Sequence, residues 1–168
     1  MSIIFFGAAN ASPQAVSEYA VKAAFVYDFA KFVSWPPGAF KDTNSPITIC
    51  VLGENPFTNS LSQIIAGKTF NGRRFAVKYR VEAQAAKGCQ IIFISRSEQK
   101  QLRDLLPDLR NAGALTIGDT NGFAKQGVMI NLFMEGNKVR FAINPGAARS
   151  AGIRISSKLL SLAKIVSD

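Results

Sequence analysis

Two short runs of apolar residues constrain the fold more than any other feature of this chain. ITICVL (Ile47–Leu52) and CQIIFIS (residues 89–95) are almost entirely apolar. A strand that is covered on both faces has this character, whereas a strand with one face in water alternates apolar and polar residues. The two runs therefore predict an α/β architecture, in which helices cover both faces of a largely parallel sheet.

The other segments alternate between helix and strand patterns. Residues 75–81 alternate apolar and basic side chains, as expected of a half-exposed strand, and residues 114–119 form another short buried strand. Glu135-Gly136-Asn137 is a hairpin turn signal between strands at residues 128–134 and 138–143. Helices are predicted over residues 16–33, 57–65, 97–109, a short segment after residue 144, and 156–166. We predict a three-layer single domain, with a mostly parallel sheet of about five to six strands, a C-terminal hairpin and helices on both faces.

An aromatic stretch, VYDFAKFVSWPPGAF (residues 26–40), closes the first predicted helix. The apolar face of that helix is expected to pack on the sheet, with Lys22 towards the opposite side. The residues on this face include Phe25, Phe29 and Phe32. Trp35 and Phe40 flank the two prolines that stop the helix, and we expect them to be more exposed, at a dimer or partner surface.

Histidine is absent, which narrows the chemistry open to the chain. Histidine is the usual general base and the commonest metal ligand, and two cysteines alone cannot form a structural zinc site. We therefore predict no catalytic residues, no metal, no cofactor and no enzymatic activity. The net charge is +9, but no basic run is longer than two residues, so no nucleic-acid surface is predicted.

The N-terminus has the pattern of an export signal. An apolar run at residues 3–9 precedes Ala9-Asn10-Ala11, which matches the small-residue motif before a signal-peptidase site. The usual basic leader is missing. We interpret residues 1–11 as a signal-peptide remnant and residues 12–168 as the mature domain, which predicts an exported protein. The alternative is that IIFF is a first strand of the domain.

The chain has two cysteines, Cys50 and Cys89. An even number of cysteines in an exported protein favours a disulfide, and the alternative is a pair of reduced core thiols. If the two strands are parallel neighbours, the residues could be staggered too far apart for the Cα separation of about 4.4 to 6.8 Å that a disulfide needs.

Two groups of residues are candidates for binding. Asp119 follows a predicted strand, where ligands often sit in open α/β sheets, and Glu54 and Asn55 follow another. With Arg154 they form a candidate ligand or anion site, although Asn55-Pro56 is also an ordinary helix start and Asp119 an ordinary turn residue. A second group combines cations with isoleucines around Gly152 and is a candidate docking surface for an acidic, apolar partner. Its members are Arg149, Ile153, Arg154 and Ile155, and the alternative is that the isoleucines reach the core.

Several segments together resemble the YfiR family of periplasmic proteins. They are KAAFVYDFAKFVSWP, ITICVLGENPF, CQIIFIS and the closing stretch LTIGDTNGFAKQGVMINLFMEGNKVRFAINPGAARSAGIRISSKLLSLA. The similarity runs over residues 21–166, and Cys50 and Cys89 match the cysteine pair of the family. Relatives with a second pair differ from this chain, so redox sensing that relies on that pair is not expected here.

The resemblance implies a function that composition alone does not. Such proteins bind and repress the periplasmic domain of an inner-membrane diguanylate cyclase, which lowers cyclic di-GMP and biofilm formation. It also implies a homodimer and release by an outer-membrane lipoprotein. An alternative function is a periplasmic domain that senses a small ligand and acts on another sensor protein.

Overall fold

A computed structural model describes residues 13–167, with side chains from residue 18 onward. The predicted signal-peptide remnant, residues 1–11, lies outside the described residues. The helices and strands in chain order are α1 (Pro13–Phe29), β1 (Val33–Ser34), β2 (Ile47–Leu52), α2 (Ser60–Ile65), β3 (Thr69–Phe70), β4 (Arg73–Val81), β5 (Ile91–Ile94), α3 (Leu102–Asn111), β6 (Leu115–Gly118), α4 (Phe123–Gln126), β7 (Ile130–Glu135), β8 (Lys138–Ile143), α5 (Pro145–Ser150), β9 (Arg154–Ile155), α6 (Ser157–Leu160) and β10 (Lys164–Ile165). Short 3₁₀ turns lie at Ala30–Phe32, Ala83–Ala85 and Arg96–Gln101.

The sheet has eight strands in the order β10-β8-β7-β6-β5-β2-β4-β3. β2 lies between β4 and β5 and pairs in parallel with both, and β5, β6 and β7 continue in parallel. β7 and β8 form the antiparallel hairpin, β3 is antiparallel to β4, and β10 is parallel to β8. β1 and β9 form a separate two-stranded ladder. The mostly parallel α/β fold is as predicted.

Helices cover both faces of the central strands of the sheet, so that alternate residues of these strands enter two different cores. In β5, Ile91 and Phe93 pack in the first core, and Ile92 and Ile94 in the second. α1 supplies the first core and α3 the second, each through its apolar face. The buried residues on these helices are Ala23, Val26 and Phe29 of α1, and Leu102, Leu106 and Leu109 of α3. This two-sided burial explains why the apolar runs do not alternate.

The segment after α1 closes the amino edge of the sheet. The indole Nε1 of Trp35 donates a hydrogen bond to the backbone oxygen of Gln90 at 2.7 Å. The buried Gln90 side chain accepts from the Thr48 N–H and donates to the Ala39 oxygen, each at 2.7 Å. Trp35 and Phe40 are half-buried and contact each other edge-on, with ring centroids 5.6 Å apart. They are therefore less exposed than predicted, because this loop is bonded to the sheet.

The prediction from the sequence was wrong in the number of strands and in several helix boundaries. The extra strands of the main sheet, β3 and β10, have two residues each. α1 ends at Phe29 and not at residue 33, because Val33 pairs with Ile155 in β1. α2 begins at Ser60 and not at residue 57, because the side-chain oxygen of Asn55 accepts a hydrogen bond from the Phe57 N–H and closes a turn. The final helix is four residues long, because the chain after it joins the open side of β8 as β10.

A disulfide joins Cys50 to Cys89, with a Cα separation of 6.0 Å. The predicted disulfide is therefore present. β2 and β5 are indeed parallel neighbours, and Cys50 lies opposite Ile92. Cys89 lies outside β5, which begins at Ile91 and not at residue 89, so the preceding turn carries it into range. Both cysteines are buried in the second core.

No helix within residues 13–167 combines the length and apolar character needed to cross a membrane.

Candidate functional site

The loops after β2 and β5 part from each other at the carboxyl edge of the sheet. The chain after β2 continues into α2, which packs in the first core, whereas the chain after β5 continues into α3, which packs in the second. Adjacent parallel strands whose connections go to opposite faces leave a crevice between their loops, and ligands of open α/β sheets usually bind there. This crevice is the candidate ligand site, and we call it the switch-point crevice.

The switch-point crevice has a volume of about 580 Å³ and mixed polar walls. Glu54 and Asn55 come from the loop after β2, Arg96 from the loop after β5, and Asp119 from the end of β6. α1 adds Tyr19 on the remaining side. The structure thus brings together Glu54, Asn55 and Asp119, three of the four residues predicted for this site. The fourth, Arg154, lies on β9 and does not line the crevice.

A buried ion pair lies beside the crevice. The Lys22 Nζ is 3.0 Å from Asp119 Oδ2 and 2.6 Å from Glu18 Oε1. The side chains of Lys22 and Asp119 are 4% and 3% exposed, whereas Glu18 is 27% exposed. A buried charge is tolerated only when it is paired and hydrogen-bonded, and Lys22 meets this condition through two carboxylates. The prediction that Lys22 lies towards the polar side of α1 is therefore wrong.

Tyr19 completes the polar cluster. Its hydroxyl donates to Asp119 Oδ2 at 2.8 Å, so this oxygen accepts hydrogen bonds from both Tyr19 and Lys22. Burial, and next the negative charge of Asp119, raise the pKa of Tyr19 far above its ordinary value. The hydroxyl therefore remains protonated and keeps its donor role. These bonds tie the beginning of α1 to the carboxyl edge of the sheet.

The loop after β2 depends on a glycine. Gly53 has a φ of +87°, and a Cβ atom at this position would overlap the Ser97 hydroxyl and the Glu98 side chain. The next N–H, that of Glu54, donates to the Ser97 hydroxyl at 3.0 Å, which joins the two crevice loops. The Glu54 side chain itself is exposed. It is therefore free to meet a ligand, whereas the Asn55 oxygen is already occupied by the Phe57 N–H.

The residues predicted for partner binding lie on the other side of the molecule, near the amino edge. β1 and β9 pair so that Ser34 lies opposite Arg154, which places Trp35 close to this strand. Arg149 and Arg154 are exposed, and Ile155 is half-buried. Ile153 is 2% exposed and belongs to the first core, so it is not available to a partner. The alternative, that this isoleucine reaches the core, is the correct one.

Sequence reasoning missed Lys22 and Tyr19, although a signal was present. Tyr19, Lys22, Val26 and Phe29 follow the spacing of three and four residues that marks the buried face of α1. A lysine at such a position is buried and needs a buried carboxylate opposite it.

Among the residues whose side chains are described, no group of three or more cysteines, aspartates and glutamates is arranged to hold a metal ion.

Comparisons with known proteins agree with this architecture. The sequence profile of YfiR/HmsC-like proteins matches residues 19–164. A search of curated proteins gives no significant match.

Two solved structures are similar in fold. A conserved domain protein from Vibrio cholerae O1 biovar El Tor N16961 has a TM-score of 0.59 and 12% identity, over 89% of this chain and 60% of its own. The ABC domain from Streptococcus pneumoniae, solved in complex with L-Trp, has a TM-score of 0.51 and 12% identity, over 71% of this chain and 55% of its own. This chain therefore spans less than two thirds of either structure, and the likeness concerns the fold alone.

Proposed function

Because this chain belongs to the YfiR/HmsC-like family, we propose that it is a periplasmic repressor that binds the periplasmic domain of a membrane-bound diguanylate cyclase. The family consists of regulators of diguanylate cyclase signalling, and repression by binding needs only a higher affinity for the inactive state of the cyclase. When the cyclase is held in its inactive state, cyclic di-GMP synthesis and biofilm formation fall. The match over residues 19–164 carries this proposal. The proposal includes a homodimer, release by an outer-membrane lipoprotein and no enzymatic activity.

The partner surface that we propose lies along α5, β9 and the loop after β1. Arg149 and Arg154 supply exposed positive charge, and the half-buried Ile155, Trp35 and Phe40 supply apolar area beside it. Interface cores are enriched in aromatic residues and arginine. The half-buried rings are held in place by the sheet, so little side-chain entropy is lost when a partner covers them.

Reversing the two arginine charges is expected to weaken cyclase binding. The variant R149E/R154E should bind the purified periplasmic domain of the cyclase at least about tenfold more weakly than the parent chain, because like charges now oppose each other across the interface. Isothermal titration calorimetry measures the affinity.

The matched control is K100E/R103E, which makes the same charge change on the exposed side of the α3 region. It should bind like the parent chain. Equal losses in both variants would place the effect in net charge and not in this surface, and the absence of any complex at micromolar concentration would contradict the repressor proposal.

A second candidate function is the sensing of a small ligand in the switch-point crevice. The convergence of Glu54 and Asp119 between diverging loops favours it. Amino acids and nucleotides can be screened by thermal shift on the parent chain and on Glu54→Gln. A ligand that raises the melting temperature of the parent chain by several degrees, and that of Glu54→Gln by clearly less, would support this function. No shift with any compound, or equal shifts in the two proteins, would refute it.

A further inference from the structure

Within residues 13–167, one part of the sheet has no helix over it on the second face. The second core contains residues of β2 and β5 and the helices α3 and α4, but no described residue of β7, β8 or β10. On the opposite face, β7 and β8 are covered by α1 and its neighbours, which bury Leu132, Phe141 and Ile143. A sheet face without a covering layer, in an architecture that otherwise covers both faces, is a surface on which another chain can pack.

The strand register defines which side chains this uncovered face presents. Asn131 lies opposite Ala142, Phe133 opposite Arg140, and Glu135 opposite Lys138. β10 extends the row, because Lys164 lies beside Ala142. We call this surface the open face; its members are Asn131, Phe133, Glu135, Lys138, Arg140, Ala142 and Lys164.

The open face is strongly basic. Its acidic residue, Glu135, is paired with Arg140 at 3.1 Å. Lys138 and Lys164 are exposed and have no ion-pair partner among the described residues, and the same is true of Lys125 on the adjacent α4. The charge that remains after internal pairing is therefore positive, and an occupant must bring negative charge.

A crevice of about 740 Å³ runs along the open face, so this surface is not flat. Phe133 is half-buried on it, and Lys125 and Lys164 line it. Below it the side-chain oxygen of Asn131, a residue only 7% exposed, has no hydrogen-bond partner among the described residues. At its far end the crevice reaches Glu18 and Asp119, whose charges are shared with Lys22.

We propose that the open face docks a short acidic segment of a protein partner, with carboxylates on Lys125, Lys138 and Lys164 and an apolar side chain on Phe133. A peptide is favoured over a simple anion because it also brings an apolar side chain to the half-buried Phe133. A second copy of this chain would oppose lysine to lysine. The N-terminal residues 1–12 carry no charged side chain, so they would leave the lysines unmatched. This docking site is separate from the arginine surface along β9 and does not depend on the cyclase proposal.

The probe is a fluorescein-labelled, end-capped hexapeptide of alternating glutamate and valine, titrated with the full chain and followed by fluorescence anisotropy. The parent chain is expected to bind it, with an affinity that falls as salt is added. K138E/K164E should reduce the affinity by about tenfold or more, whereas the control K100E/R103E should leave it nearly unchanged. Phe133→Ser should also weaken binding, and a lysine-valine peptide should not bind. Circular dichroism establishes that each variant is folded.

Several outcomes would overturn the proposal. These are the absence of peptide binding, an equal loss in K138E/K164E and K100E/R103E, and unchanged binding by K138E/K164E. Two further measurements test the other occupants of the face. If the parent chain does not bind the peptide but binds phosphatidylglycerol vesicles, and if K138E/K164E abolishes vesicle binding, the open face is a membrane-binding surface. If the parent chain is a dimer in sedimentation analysis and K138E/K164E is a monomer, the open face is an interface between copies of this chain.

Discussion

Replacing Lys22 with methionine is expected to lower the free energy of unfolding by about 3 to 5 kcal/mol, the usual cost of removing one partner from a buried ion pair. The change leaves Asp119, whose side chain is 3% exposed, with its charge but without its cation. The hydroxyl of Tyr19 remains as a donor to the carboxylate, but it brings no positive charge. Urea unfolding of the parent and variant chains measures the difference.

The control is Lys31→Met on the same segment. Lys31 pairs with Asp28 in solvent, at side-chain exposures of 37% and 53%, so its loss should cost less than about 1 kcal/mol. The double variant Lys22→Met/Asp119→Leu should lose less stability than the two single variants together, with a coupling of about 0.5 to 3 kcal/mol. Additive losses, or equal losses at Lys22 and Lys31, would show that the buried pair is not coupled in this way.

Replacing both Cys50 and Cys89 with alanine is expected to destabilise the protein by about 4 kcal/mol, because the disulfide spans a sequence separation of 39 residues and restricts the unfolded chain. For a chain of this length the loss corresponds to a melting temperature lower by about 8 to 16 °C. Thermal unfolding followed by circular dichroism gives the shift. The proposed cyclase binding should persist, since both cysteines are buried in the second core.

Reductant provides the internal control for the cysteine variant. It should lower the melting temperature of the parent chain and leave that of the double alanine variant unchanged. A parent chain that melts at the same temperature with its cysteines oxidised and reduced would contradict the expected contribution of the disulfide.

The parts of the fold that depend on local pattern were predictable. The unbroken apolar runs of β2 and β5 reflect burial on both faces, and the turn at Glu135-Gly136-Asn137 marks the hairpin of β7 and β8. Parts that depend on distant partners were not predictable. The ladder of Val33 with Ile155, and of Lys164 with Ala142, involves two-residue strands whose local sequence carries no strand period.

The candidate ligand site was predicted in part for a similar reason. Glu54 and Asp119 follow strands, and the rule that ligands bind at the carboxyl ends of parallel strands located them correctly at one edge. Arg154 follows no strand of the main sheet, so the rule had no bearing on it. Lys22 was misplaced because its charge was given more weight than its position on the buried face of α1, where a buried carboxylate was available to pair with it.

The aromatic face of α1 has a consequence for how the molecule assembles in time. Phe25 and Phe29 both lie against Phe141, with ring centroids 5.8 and 5.1 Å apart. Because α1 precedes β8 in the chain, the rings of α1 are not shielded from water until β8 has also been synthesised. Closure of so long a loop carries an entropic penalty and slows folding, so nascent chains expose these apolar rings until β8 has emerged.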